Sequence, residues 1–120
     1  MPFIYISVIG TFVLLTVSHW GKRRGYYKKG QESFWFDKIM HFFGGFLVAM
    51  FWSAFIQCFP LIIAFTFLVG AFWEIAEYFY GIYKFKETGT KDYMIETRDT
   101  IEDLIMDVTG AAIWALILML

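Results

Sequence analysis

Thirty-two consecutive residues without a charged side chain decide how this chain folds: FFGGFLVAMFWSAFIQCFPLIIAFTFLVGAFW, from Phe42 to Trp73. A straight helix of this length would reach about 48 Å, whereas the hydrocarbon core of a bilayer is about 30 Å thick. The stretch must therefore fold back once. Pro60 marks the place, because proline lacks a backbone donor and disfavours helix in the preceding residue. The sequence predicts a helical hairpin with a short turn around Cys58–Phe59–Pro60.

Two more apolar stretches flank this hairpin, Phe3–Trp20 before it and Leu104–Leu120 after it. We therefore expect an all-α polytopic membrane protein, a single domain over residues 1–120 with four transmembrane helices. The expected helices span roughly 2–20, 36–58, 61–83 and 99–120, and loops 21–35 and 84–98 join them. A composition that is 59% hydrophobic and 22% aromatic is unusual for a soluble domain. A β-barrel is excluded because the apolar residues do not alternate.

The basic residues predict the orientation. All ten lysines and arginines fall in two segments, one after the first expected helix and one after the third: Lys22, Arg23, Arg24, Lys28, Lys29 and Lys38, then Lys84, Lys86, Lys91 and Arg98. The positive-inside rule makes both segments cytoplasmic. Both termini are therefore expected on the outer side of the cell membrane. The first helix is expected to stay as an anchor, because its basic cluster follows the apolar stretch. Nothing in this pattern favours nucleic-acid binding, and a single cysteine reveals no redox compartment.

Acidic residues and one histidine recur at matching depths in the last three helices, which are expected to form the polar core. Three pairs share a helix face, because their members are three or four residues apart: Asp37 and His41, Glu74 and Glu77, Asp103 and Asp107. Each face continues into small residues, which let membrane helices approach closely: Gly44 and Gly45, Gly70, Gly110 and Ala111. We therefore expect one shared polar site in the cytoplasmic half of the membrane, with the first helix peripheral to it.

Plainer interpretations exist for some of these residues. Asp37, Asp99 and Glu102 are also typical of helix starts, where acids favour the helix dipole. His41 alone would more often be a hydrogen-bonded packing residue than a ligand. Glu74 and Asp107 are different, since they lie about three turns deep and have no capping role.

Several carboxylates in a low-dielectric setting require protonation or a compensating cation. Lys38 follows Asp37 directly, so we expect it to point away from the acidic face, and Arg98 lies at a helix entrance. A bound divalent ion is therefore expected, with Glu74, Asp103, Asp107 and Asp37 as its ligands. Oxygen ligands with one imidazole suit Mg²⁺, Mn²⁺ or Zn²⁺.

The same residues carry a family resemblance. Over roughly residues 36–115 the chain resembles VanZ-like small membrane proteins, through Asp37–Phe42, Glu74, Arg98–Asp99 and Asp103–Ala111. Through Trp73–Glu77 it is also similar to the related YjdF-type proteins. The chain is more acidic than VanZ-like proteins, which often carry Gln where Glu77 stands and Asn near Asp107. The resemblance implies a helical fold and a link to the cell envelope or glycopeptide-type resistance, without an established reaction.

Three functions follow as hypotheses. In the first, the ion binds or acts on a lipid or lipid-linked headgroup, Glu77 or His41 exchanges protons, and Arg98 or Lys38 contacts the anionic headgroup. In the second, the carboxylates carry a proton or cation across the membrane. In the third, the chain is a non-enzymatic assembly subunit whose buried polar site specifies helix packing. The expected partners are membrane lipids, and a homo-oligomer is left open.

Overall fold

The computed structural model describes residues 2–23, 34–89 and 97–120, with side chains described for 2–20, 36–89 and 100–120. These residues form four helices, α1 (Pro2–Arg23), α2 (Phe34–Ser53), α3 (Phe59–Thr88) and α4 (Thr97–Met119), and no strand. The all-α prediction is confirmed. Residues 24–33 and 90–96, which include much of both expected cytoplasmic loops with Arg24, Lys28, Lys29 and Lys91, lie outside the described residues.

The hairpin between α2 and α3 turns where Pro60 predicts it. Pro60 lies in the first turn of α3, where its missing N–H costs nothing, and Cys58 before the helix is extended. However, α2 ends at Ser53, five residues before the expected end, so the connection is longer than predicted. At the other end α3 continues to Thr88, where Gly89 adopts a left-handed conformation (φ 72°) and donates its N–H to the Phe85 carbonyl.

Helix α2 is the centre of the packing. It contacts α1, α3 and α4, and its contact with α4 is the most extensive; α3 also packs on α4. In the described residues α1 and α3 do not pack on each other. Ser7 is the single buried side chain among residues 2–20, so α1 is peripheral as expected.

The distribution of side chains is inverted relative to a soluble domain. Among the described residues, seven polar or charged side chains are buried and six apolar ones; the polar and charged ones are Ser7, Lys38, His41, Thr66, Glu74, Asp103 and Asp107. Large apolar side chains such as Tyr5, Phe72 and Phe79 are more than half exposed. Charged residues are almost never buried in soluble proteins unless they are paired. An exterior of this kind suits hydrocarbon, where charged groups face the interior of the bundle.

Two of the described helices are long and apolar enough to cross a membrane, Pro2–Trp20 and Phe59–Thr88. Helices α2 and α4 begin with charged turns, and their uncharged parts, 42–53 and 108–119, are only about 18 Å long. Length and composition therefore show two candidate spans.

Glycines set the spacing of α2, α3 and α4. A Cβ added to Gly45 would collide with the backbone carbonyl of Asp107, and one added to Gly110 would collide with that of Phe42. A Cβ on Gly70 would occupy the place of Asp107 Oδ2. The predicted close approach of small residues is confirmed, and it lies directly beside the acidic side chains.

Candidate functional site

Three helices bring their charged turns to one place, and we call the resulting group the acidic site. The second turn of α2 supplies Lys38 and His41, the middle of α3 supplies Glu74 and Glu77, and the first half of α4 supplies Asp103 and Asp107. The helical spacing places each pair on one face. Except for Glu77, which is half-buried, these side chains are buried. The prediction of one shared polar site is confirmed.

The imidazole of His41 lies at the centre of the acidic site. Its Nδ1 lies 3.2 Å from Asp107 Oδ1, within hydrogen-bond distance. Its Nε2 faces the other carboxylates, at 3.3 Å from Asp103 Oδ2, 3.6 Å from Glu74 Oε1 and 3.7 Å from Asp37 Oδ1. If Nδ1 carries the proton, it donates to Asp107, and the lone pair of Nε2 then faces carboxyl groups that are also acceptors unless they carry a proton.

The expected orientation of Lys38 is wrong. Its side chain is buried, and its Nζ donates a hydrogen bond to Asp103 Oδ1 at 2.5 Å. Glu102 Oε2 lies 3.7 Å from the same Nζ and Asp37 Oδ2 lies 3.8 Å away. Lys38 is thus a counter-ion within the acidic site.

Sequence reasoning missed this role because it placed neighbouring residues on opposite faces. Consecutive residues are only about 100° apart on a helix, and a helix that packs on three others buries a wider arc than that. The usable signal was the spacing from Lys38 to His41, which is i,i+3 and therefore favours one face.

Glu74 is the most unusual group of the acidic site. Its residue is only 4% exposed, and neither carboxylate oxygen accepts a hydrogen bond from the described residues. Burying a polar group in this way costs free energy, because its contacts with water are not replaced. Glu77, one turn further along α3, lies nearer the surface and accepts a hydrogen bond of 2.8 Å from Trp73 Nε1.

A metal ion can be held by four of these groups. One potential ligand atom from each of His41, Glu74, Glu77 and Asp103 lies within 4.8 Å of the others. Opposite ligands of an octahedral Mg²⁺ are about 4.2 Å apart, so the separations within this group are similar in scale to those around a bound ion. Two of the four predicted ligands, Glu74 and Asp103, belong to this group.

The remaining predicted residues lie around this group or beyond the described side chains. Asp107 contacts the opposite nitrogen of His41, and Asp37 lies beside both His41 and Lys38. Arg98 belongs to α4 by its backbone, but its side chain and that of Asp99 lie outside the described residues. No contact of Arg98 is therefore described.

The charges of the acidic site do not balance among the groups just described. Six carboxyl groups surround Lys38 and His41, namely Asp37, Glu74, Glu77, Glu102, Asp103 and Asp107. Even with a protonated imidazole, the carboxylates exceed the cations unless some carboxyls are neutral. Such a site can bind a cation or hold protons.

Buried charges, an apolar exterior and two helices long and apolar enough to cross a membrane indicate a small helical integral membrane protein. Comparison with protein families agrees with this class. The chain belongs to the family described as "Predicted membrane protein (DUF2238)", whose model matches residues 1–120. No curated protein and no solved structure matches the chain. This family membership does not by itself show that the chain is VanZ-like or YjdF-type, because that resemblance is more specific than the family match.

Proposed function

We propose that the acidic site binds a divalent cation and that the ion binds, or allows the protein to act on, the phosphate-bearing headgroup of a lipid or lipid-linked envelope component. One observation carries this proposal: the carboxylate of Glu74 is buried, and neither of its oxygens has a hydrogen-bond donor among the described residues. Such a carboxylate is stabilised by a cation that enters the site. The proximity of three further ligand groups supports the same conclusion.

The contacts favour a division of roles within the site. We assign His41 Nε2, Glu74, Glu77 and Asp103 as ligands, which moves His41 from proton exchange to metal binding. Asp107 then orients the imidazole through Nδ1, an arrangement that is common behind metal-bound histidines. Lys38 offsets part of the charge of Asp103.

The outer rim of the site supplies the remaining roles. Glu77 is the least buried ligand group and is therefore the best placed to exchange protons with a bound headgroup. Asp37 lies at the cytoplasmic edge, and Arg98 is left as the basic residue that meets the headgroup. Lys38 is no longer assigned to the headgroup, because it is buried against Asp103.

The proposal includes a topology in the cell membrane. All four helices cross, both termini lie outside, and the acidic site lies in the cytoplasmic half. The short uncharged parts of α2 and α4 are compatible with crossing because their charged turns face each other inside the bundle. The resemblance to VanZ-like and YjdF-type proteins supports an envelope-related role.

Thermal unfolding of the purified protein in detergent tests the cation. Stability is compared in EDTA and with Mg²⁺, Mn²⁺ or Zn²⁺, because an ion that binds only the native state stabilises it by about 2.7 kcal/mol at one hundred times its Kd. We expect at least one ion to raise Tm, and elemental analysis to find it in the untreated protein. Equal melting curves in all conditions would contradict the proposal.

Glu74→Gln sharpens this test. The neutral amide removes a buried charge, so the variant should be at least as stable as wild type in EDTA, while the rise in Tm with metal should disappear. Glu87→Gln is the matched control, since Glu87 is exposed at the end of α3 and contacts Lys84 at 3.9 Å. It should keep the full response to metal.

The assembly-subunit alternative also has support. Lys38–Asp103 and His41–Asp107 both join α2 to α4, so the polar groups contribute to the specific pairing of these helices. If packing were the sole role of the site, no metal would change Tm, and Glu74→Gln would change only the stability of the bundle. The experiment above therefore separates the two functions.

A further inference from the structure

A cleft runs along the lipid-facing side of α2, between α1 and α3. It exists because α1 and α3 flank α2 without packing on each other in the described residues. Gly44 leaves space along it, Gly45 and Gly70 line it with backbone, and Thr11 and Thr66 add only short side chains. Thr66 uses its hydroxyl within its own helix, where it donates to the Ile62 carbonyl at 2.8 Å.

The cleft has an inner and an outer section. The inner section encloses about 230 Å³ and the outer one about 320 Å³. Thr11, Leu15, Val48 and Val69 line both, so the two sections adjoin each other. Along α2 its lining residues run from Asp37 to Trp52, about 22 Å. The part from His41 outward is about 16 Å long, close to the thickness of one leaflet, about 15 Å.

The two ends of the cleft differ in chemistry. The outer section is lined mainly by apolar side chains, including Val8, Phe12 and Phe51. The inner section ends at three members of the acidic site, His41, Glu77 and Asp107, and at the neighbouring Asp37. An occupant that satisfies both ends needs a hydrocarbon chain about one leaflet long and a polar group at its inner end.

We infer that this cleft holds one hydrocarbon chain of a phosphate-bearing lipid from the cytoplasmic leaflet, with the phosphate at the His41 end. This inference rests on the proposed function, because the carboxylates attract a phosphate only when a divalent cation offsets their charge. Apolar walls do not select among lipids in a bilayer, since lipid tails are as apolar as the walls. Selection therefore comes from the polar end, where the ion and the phosphate meet.

Photolabelling tests the occupant. The protein is reconstituted in vesicles of galactosyl diacylglycerol, which carries no phosphate, with Mn²⁺ and a trace of a photoactivatable lipid. One probe is phosphatidic acid with a diazirine in its acyl chain, and the other is diacylglycerol with the same chain. We expect the phosphatidic acid probe to label Leu14, Leu15, Val48 and Val69 in clear excess over the diacylglycerol probe.

Two variants show whether the cleft is responsible. Gly44→Leu fills it, because a Cβ at Gly44 meets only Leu14 Cδ2 at 3.6 Å and a longer side chain extends into open space. It should lose the excess labelling. Ala64→Leu adds the same side chain at an exposed position that lines neither section, and this variant should keep the excess labelling. If Gly44→Leu does not fold, Val69→Phe obstructs both sections and replaces it.

The possible outcomes distinguish the two proposals. Equal labelling by the two probes in the wild type, or an excess that persists in Gly44→Leu and Val69→Phe, would overturn the inference, because bulk lipid or another surface would then explain the labelling. An excess that disappears in EDTA supports the inference. An excess that persists in EDTA supports the cleft but contradicts the bridging cation. Failure of the proposed function is detected separately, as the absence of any metal effect on Tm.

Discussion

Lys38 on α2 and Asp103 on α4 form a buried ion pair at 2.5 Å that joins residues 65 positions apart in the chain. Oδ2 of the same carboxylate lies 3.3 Å from His41 Nε2. Asp103 is therefore shared between a fixed counter-ion and the candidate metal group. The charge of Lys38 thus affects both the stability of the bundle and its affinity for a cation.

Lys38→Met tests this dual role. Removing one partner of a buried ion pair leaves an uncompensated charge and typically costs about 3–5 kcal/mol. We expect a large loss of stability in EDTA and a larger gain from the stabilising metal than in wild type, because the ion replaces the lost positive charge. Unfolding curves in detergent with and without metal measure both effects.

The control for Lys38→Met is Lys84→Met. Lys84 lies 3.9 Å from Glu87, and both side chains are partly exposed, so this pair contributes little. The control should leave stability and metal response close to wild type. A Lys38→Met protein as stable as wild type in EDTA would contradict the role of Lys38 as counter-ion.

Much of the fold and the location of the site were predictable from sequence. The uncharged stretch with Pro60 predicted the α2–α3 hairpin, and the i,i+4 spacing of Asp103 and Asp107 predicted a common face. These features depend on local geometry: helix rise, helix periodicity and the backbone of proline. The end of α2 was predicted less well, because residues 54–58 are as apolar as the helix before them.

The assignment of individual contacts was less predictable. The side on which Lys38 lies and the nitrogen of His41 that Asp107 contacts depend on how α2 is rotated against α4. That rotation is set by the contacts of Gly45 and Gly110 with the opposite backbone, which join residues distant in sequence. Helical periodicity shows which residues share a face, but it does not show which neighbouring helix that face meets.

Gly45→Ala tests whether close packing of α2 on α4 supports the site. A Cβ at Gly45 collides with the backbone carbonyl of Asp107, and backbone cannot move aside as a flexible side chain does. Overpacking commonly costs about 1–3 kcal/mol, and we expect the upper end of this range or more. The readout is the free energy of unfolding in detergent.

The adjacent glycine supplies the control for this substitution. Gly44→Ala places its Cβ at an ordinary van der Waals distance of 3.6 Å from Leu14. It should therefore be neutral or slightly stabilising, since alanine favours helix over glycine by about 1 kcal/mol. Equal effects of the two substitutions would show that the α2–α4 contact is not as close as described.

Asp107→Asn tests the role assigned to Asp107 behind the imidazole. The amide keeps the shape of the side chain but weakens its hold on His41 Nδ1. Loss of such an outer partner typically lowers metal affinity about 10–100-fold without abolishing it. Titration of the metal-dependent rise in Tm should show weaker but saturable binding, whereas Glu74→Gln should show none. Complete loss of binding in Asp107→Asn would instead make Asp107 a direct ligand.

Trp73 should report on metal bound beside Glu77. Its Nε1 lies 2.8 Å from Glu77 Oε1, so Mn²⁺ held by Glu77 is close enough to quench its fluorescence. We expect Mn²⁺ to quench part of the tryptophan emission and Trp73→Phe to remove most of that quenching. Trp52→Phe is the control, because Trp52 lies about 16 Å along α2 from His41. Quenching unchanged in Trp73→Phe would place the ion elsewhere.

Cys58 tests the proposed orientation, because it is the single cysteine of the sequence. It is exposed in the connection between α2 and α3, opposite the charged turns of both helices. If those turns are cytoplasmic, Cys58 lies outside. A membrane-impermeant maleimide added to intact cells should therefore label it, and permeabilisation should add little further label.

The other end of α3 gives the converse measurement. Thr88 is exposed at its last residue, and 30 residues of helix extend about 45 Å, more than the hydrocarbon core of about 30 Å. In Cys58→Ser protein, a cysteine introduced by Thr88→Cys should be labelled only after permeabilisation. The reverse pattern at the two positions would invert the bundle and place the acidic site in the outer half of the membrane. Labelling of both from outside would show that α3 does not cross.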